Sequence, residues 1–169
     1  MKEVTRARIE ATPEWDRAEE EMVSDPARLS SMLDGPWGEV LPGDPLSFSR
    51  RWGSARLRLL LVNVESGHLL PPKVPGLLKR TSTSASPNVV DLSPFDNQAF
   101  IQRWHERYGA EVFFMNGTEL QLAVPRPPVS QGEVTELAIE QYAYCDDLLD
   151  VIELGNGQVR SNYWSFWWD

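Results

Sequence analysis

The sequence predicts an α+β fold: a mainly antiparallel sheet with helices packed on it. Three observations predict it. Residues 93–108 and 130–145 carry apolar side chains at helical spacing behind capping residues, residues 111–124 alternate about an Asn-Gly turn, and residues 163–168 alternate aromatics. The order helix, hairpin, helix, strand defines a C-terminal unit over residues 93–169. Residues 1–92, with helices and a strand of their own, precede it, and the whole reads as one compact domain.

Pro13-Glu-Trp-Asp opens a helix running to about Met22, which Ser24-Asp25-Pro26 interrupts. Asp25 caps a second helix with Pro26 at its first position, ending near Gly35. Residues 35–53 hold four glycines and three prolines and read as turns and extended pieces. Arg56 to Val64 reads as a central strand, apolar on both faces towards its end. From Ser66 to Pro87, Pro71-Pro72, Pro75-Gly76 and a Ser/Thr run mark a loop or linker.

Ser93-Pro94-Phe95-Asp96 starts a helix whose stripe is Phe100, Ile101, Trp104 and Tyr108, and Gly109 ends it. Two strands, Glu111 to Met115 and Thr118 to Val124, follow around Asn116-Gly117. A bulged turn places Val112 and Phe114 on the face of Leu120 and Leu122, keeping Glu111 off it. After Pro125–Pro128, Ser130 and Glu133 form a capping-box pattern ahead of the stripe Val134, Leu137, Ala138, Tyr142, Cys145. The last strand sets Trp164, Phe166 and Trp168 on one face and Tyr163 and Trp167 on the other, as in a central or well-covered strand.

Charge is uneven along the 169 residues, whose net charge is −9. Residues 1–49 carry −6, residues 50–92 carry +5, and residues 93–169 carry −8. Nucleic acid is a poor partner, because binding it neutralises phosphates with a basic face; Arg50, Arg51, Arg56 and Arg58 instead pair with the acidic flanks. No apolar run approaches the roughly 20 residues of a membrane span, and the N-terminus lacks a signal peptide's apolar stretch. One cysteine allows neither an intrachain disulfide nor a cysteine zinc site. A cytoplasmic protein with no cofactor and no membrane partner is expected.

Residues 93–169 also resemble a bacterial domain-of-unknown-function family. The residues that carry this are Trp104, Arg107-Tyr-Gly-Ala-Glu111, Pro127-Pro128, Glu140-Gln-Tyr-Ala-Tyr-Cys145 with Asp147, and the terminal Trp164-Ser-Phe-Trp-Trp-Asp169. The resemblance implies a fold and a bacterial origin, and no activity. Two departures stand out: Cys145-Asp146-Asp147 where the family has Cys-Pro-Asp, and Ile152–Gly157 where it has a further helix, which suggests a shortened edge.

Candidate chemistry centres on Cys145-Asp146-Asp147-Leu-Leu-Asp150 and Glu153. Asp-Asp-x-x-Asp on a helix binds magnesium–diphosphate in large helical enzymes, but no second acidic motif accompanies it here. The simpler reading is a helix end running into an acidic turn. Cys145 with His105 or His68 as base is a possible nucleophile pair, although Cys145 also continues an apolar stripe. Two histidines without cysteine company do not make a metal site. The expectation is therefore a non-catalytic acidic module that docks a basic protein, of the immunity or inhibitor kind. Its face would hold Asp146, Asp147, Asp150, Glu153, Trp164 and Trp167. The alternative is a small enzyme or ligand-binding protein using Cys145, His105 and the Asp146/Asp147/Asp150 turn.

Overall fold

The computed structural model describes residues 21–43, 61–78, 92–145 and 150–168. The expected N-terminal helix lies outside these but for residues 21–24, which are helical. Helix α1 (Pro26–Met32) starts as the sequence predicts: Asp25 accepts a hydrogen bond from Arg28 N at 3.1 Å and Pro26 needs no donor.

The expected central strand over 56–64 is not borne out in its described part. Residues 61–64 pair with no strand, Val64 N bonds back to Val62 O at 3.1 Å, and Leu61 is 86% exposed. The expected linker is also corrected over residues 66–78. Gly67–Leu69 form a 3-10 turn and α2 (Leu70–Lys73) follows it, both packed on the long helix α3 (Pro94–Tyr108). Its prolines occupy the first turn of α2, where the missing N–H costs nothing, so they start a helix here. Leu78 then adopts left-handed φ 47, a strained conformation for a leucine. Its backbone N–H bonds to Asn116 O at 2.8 Å, and its side chain is buried.

In α3 the capping box is complete: Ser93 Oγ accepts from Asp96 N, and Asp96 Oδ2 accepts from Ser93 N at 2.8 Å. Gly109 closes the helix in the left-handed region at φ 70. Strands β1 (Glu111–Met115) and β2 (Glu119–Ala123) form the hairpin, with Val112 opposite Leu122 and Met115 opposite Leu120. The bulge exists, but between Val112 and Phe114 rather than at the turn. It therefore sets Met115, not Phe114, beside Leu120, while Phe114 faces Gln121 and Phe113 is exposed.

Helix α4 (Gln131–Tyr144) buries Val134, Leu137, Ala138, Gln141 and Tyr144; Tyr142 is only partly buried. Ser130 donates to the Glu133 carboxylate at 2.6 Å, a bond between the two side chains that caps no backbone group, so the expected box does not form. Where a shortened edge is expected at Ile152–Gly157, the chain holds a helix, α5 (Val151–Asn156); residues 146–149 of the expected acidic turn lie outside the described residues. Asp150 caps it, accepting from Ile152 N and Glu153 N at 2.8 and 2.9 Å. A second 3-10 turn, Gln158–Arg160, leads into β3 (Tyr163–Trp167).

Among the described residues the sheet is antiparallel in the order β1-β2-β3, with β2 between β1 and β3. Leu120, Leu122, Trp164 and Phe166 form its inner face, beneath Ile101, Trp104 and Tyr108 of α3 and the apolar stripe of α4. Residues 34–43 are held against this unit. Buried Arg160 donates to the carbonyls of Asp34 and Pro36 and lies over the Trp37 ring, and Leu41 N bonds to Arg160 O at 2.9 Å.

Between the helices, the fully buried Tyr144 hydroxyl donates to Asn97 Oδ1 at 2.7 Å. Burial pushes its ionisation well above the usual tyrosine value. The folded chain therefore keeps a proton that the unfolded chain releases above about pH 10. The stabilisation is complete below that pH and is lost as pH rises towards the folded-state value. Urea titrations between about pH 9 and 11.5 should show stability falling less steeply in Tyr144→Phe, by up to about 1.4 kcal/mol per pH unit. Equal slopes would contradict this assignment.

Candidate functional site

The residues singled out for a binding face do not share one environment. Asp146 and Asp147 lie outside the described residues. Asp150 is occupied as the cap of α5, while Glu153, in its first turn, is exposed. Trp164 is fully buried beneath α3, edge-on to Trp104 and Tyr108, and reaches no surface. Trp167 is half-buried on the opposite face of β3.

The proposed thiol–imidazole pair is not assembled. Cys145 is fully buried at the end of α4, where its Sγ donates to Trp167 O at 3.2 Å. His105 points elsewhere: its Nδ1 lies 3.2 Å from Ala110 O and 2.9 Å from Glu111 Oε1. No hydrogen bond joins Cys145 to either histidine among the described residues. A small thiol reagent should reach Cys145 only when the chain opens. The native reaction should run at least about a hundredfold slower than the reaction in urea, and comparable rates would contradict the burial.

What the structure does bring together is His105, His68 and Glu111, with Ser66 beside them. The rings of His68 and His105 are 5.4 Å apart between centroids and tilted by 44°. Ser66 Oγ lies 3.5 Å from Glu111 Oε2. Three elements meet here: the last turn of α3, the first residue of β1, and the Gly67–Leu69 turn. Gly67 permits the approach, since a Cβ there would lie 2.6 Å from Val112 Cβ. Both acceptors around His105 Nδ1 are oxygens, so that nitrogen carries the proton and Nε2 is left to act. Histidines so distant in sequence carry no local spacing signal, and the turn that joins them reads as a loop. Gly67→Ala should separate the rings and destabilise the fold by about 1–3 kcal/mol. Loss of the nuclear Overhauser contact between the two imidazoles would report this, and an intact contact would contradict it.

The charged groups of the C-terminal half follow a second pattern. Arg103 pairs with Glu140 at 2.9 Å, Arg107 pairs with Glu136 at 3.2 Å, and Arg160 is buried against carbonyls. Asp96, Glu106, Glu111, Glu133, Glu136 and Glu153 remain at the surface. Along the outer stripe of α3, exposed Phe95 and Ala99 run towards Glu106. A pocket of about 270 Å³ is lined by residues including Pro42, Gly43, Gln158 and Tyr163.

Residues 80–169 match the family described as a domain of unknown function, DUF4253. No curated protein and no solved structure matches the chain.

Proposed function

Since the chain belongs to the DUF4253 family, an affiliation that brings no activity with it, we propose from its surface chemistry that it is a non-catalytic protein-binding module. Its partner is a basic protein, and its place is the bacterial cytoplasm. One observation carries this reading. Among the described residues of this half, Arg103, Arg107 and Arg160 are bound within the molecule and Arg126 is exposed, while Glu106, Glu111, Glu133 and Glu153 are exposed and paired with no arginine.

An outward field of that sign speeds encounter with a positive surface and disfavours polyanions. Phe95, 71% exposed beside Asp96, supplies the aromatic anchor that charge alone lacks. An inhibitor or immunity role is the most specific form of the reading: carboxylates such as Glu106 and Glu136 would occupy the space a basic enzyme reserves for an anionic substrate. No helix of the described residues is long and apolar enough to cross a membrane.

The test is capture from the source organism with the immobilised chain. A basic protein should be retained at about 0.05 M salt and released by about 0.5 M. Reversing Glu106, Glu136 and Glu153 together to lysine should slow association at least about tenfold. Phe95→Ala should instead speed dissociation. Capture of no protein, or of the same proteins by the charge-reversed chain, would refute the reading.

A further inference from the structure

The two histidines and Glu111 are arranged as a ligand pair with its supporting group. Against the expectation from the sequence that two histidines do not make a metal site, we propose that His68 and His105 together bind a divalent transition-metal ion of the zinc type, with Glu111 orienting His105 from behind. The inference is independent of the docking surface proposed above.

His105 supplies the clearest part. Its Nδ1–H is engaged by Ala110 O at 3.2 Å and Glu111 Oε1 at 2.9 Å, so Nε2 carries the lone pair. Metal-bound imidazoles are oriented in this way, the distal N–H held by a carboxylate or carbonyl that fixes the tautomer and raises ligand basicity. Ser66 Oγ, 3.5 Å from the other oxygen of Glu111, steadies that carboxylate.

His68 supplies an unmet need. Its Nδ1 is shielded from water and has no hydrogen-bond partner. An ion bound at Nδ1 itself would satisfy it. Two imidazoles sharing one ion, each at about 2.0–2.1 Å, have centroids roughly 4.5–6.5 Å apart as the N–metal–N angle widens. The observed separation of 5.4 Å falls inside that range. Neutral imidazole nitrogens select zinc, copper and nickel over magnesium or calcium.

The number of donors sets the character of the site. Among the described residues no group of three His, Cys, Asp or Glu side chains converges on one point. Two protein donors leave the remaining positions to water, so the ion is exchangeable and held more weakly than in a closed four-ligand site. The side chains of His105 and Glu111 are 35% and 52% exposed, so the ion has a path in. His68 lies outside the family-matched residues 80–169 and His105 inside them. The pair thus joins the two parts of the chain, and metal binding adds to the docking of residues 66–78 on α3 and β1.

Titration of the full chain with Zn2+ decides the matter, followed by calorimetry and by the nitrogen resonances of both imidazoles. The expected result is one ion per chain, with the ring signals of His68 and His105 shifting together. His68→Gln and His105→Gln should each weaken binding at least about tenfold, and Glu111→Gln about tenfold. Melting without zinc establishes that each variant is folded, and chemical-shift mapping of the wild-type chain serves for any that is not. Absence of binding, or zinc shifting carboxylate neighbours while both imidazoles stay in place, would overturn the proposal. Affinity unchanged in the folded histidine variants would overturn it as well.

Discussion

The structure depends on how the indole of Trp104 is held. It stacks on Phe166 of β3 at 5.0 Å and 9°, and meets Tyr144 of α4 and Trp164 of β3 edge-on. Its Nε1–H donates to Glu140 Oε1 at 2.8 Å, and Arg103 Nε donates to both oxygens of the same carboxylate. Each aromatic pair contributes about 0.5–1.5 kcal/mol beyond area burial, and a hydrogen bond to a charged group about 1.5–3 kcal/mol. One side chain thus requires α3, α4 and β3 to be in place together. Because β3 pairs with β2 and β2 with β1, the sheet follows. With Trp104 inward, the next residue lies about 100° round the helix, and His105 reaches the start of β1.

The carboxylates divide into two populations on the same grounds. Asp96 and Asp150 saturate helix N-termini, and Glu140 holds Trp104 and Arg103. These are spent on the fold. Glu106 and Glu153 are exposed and paired with no arginine among the described residues, so their field reaches solvent, whereas the exposed Glu136 is paired with Arg107. Among the described residues, the acidic surface that the proposed docking would use therefore lies on the outer surfaces of α3, α4 and α5.

What was legible in the sequence was whatever short-range chemistry decides. The caps at Asp25 and Ser93, the glycine stop at 109, the hairpin about Asn116-Gly117 and the one-sided burial of Trp164, Phe166 and Trp168 are local choices with local signals. The misreadings share a different cause. Prolines 71 and 72 signal a loop until tertiary contacts make them the first turn of a helix packed on α3. The bulge moved into β1 because Leu120 and Leu122 need Met115 and Val112 opposite them, a demand no turn residue announces. Helix α5 hid behind an acidic run whose last member is its cap. The histidine cluster was invisible because its members converge only through the Gly67 approach to Val112.

The central claim is that Trp104 and Glu140 act as one unit joining α3 to α4 and, through the indole stack, to β3. A double-mutant cycle of Trp104→Phe and Glu140→Gln, read by urea unfolding, tests it most directly. The account predicts that the single changes are strongly non-additive, with a coupling energy of at least about 1 kcal/mol. Additivity to within about 0.3 kcal/mol would mean that indole and carboxylate act separately, and would contradict it.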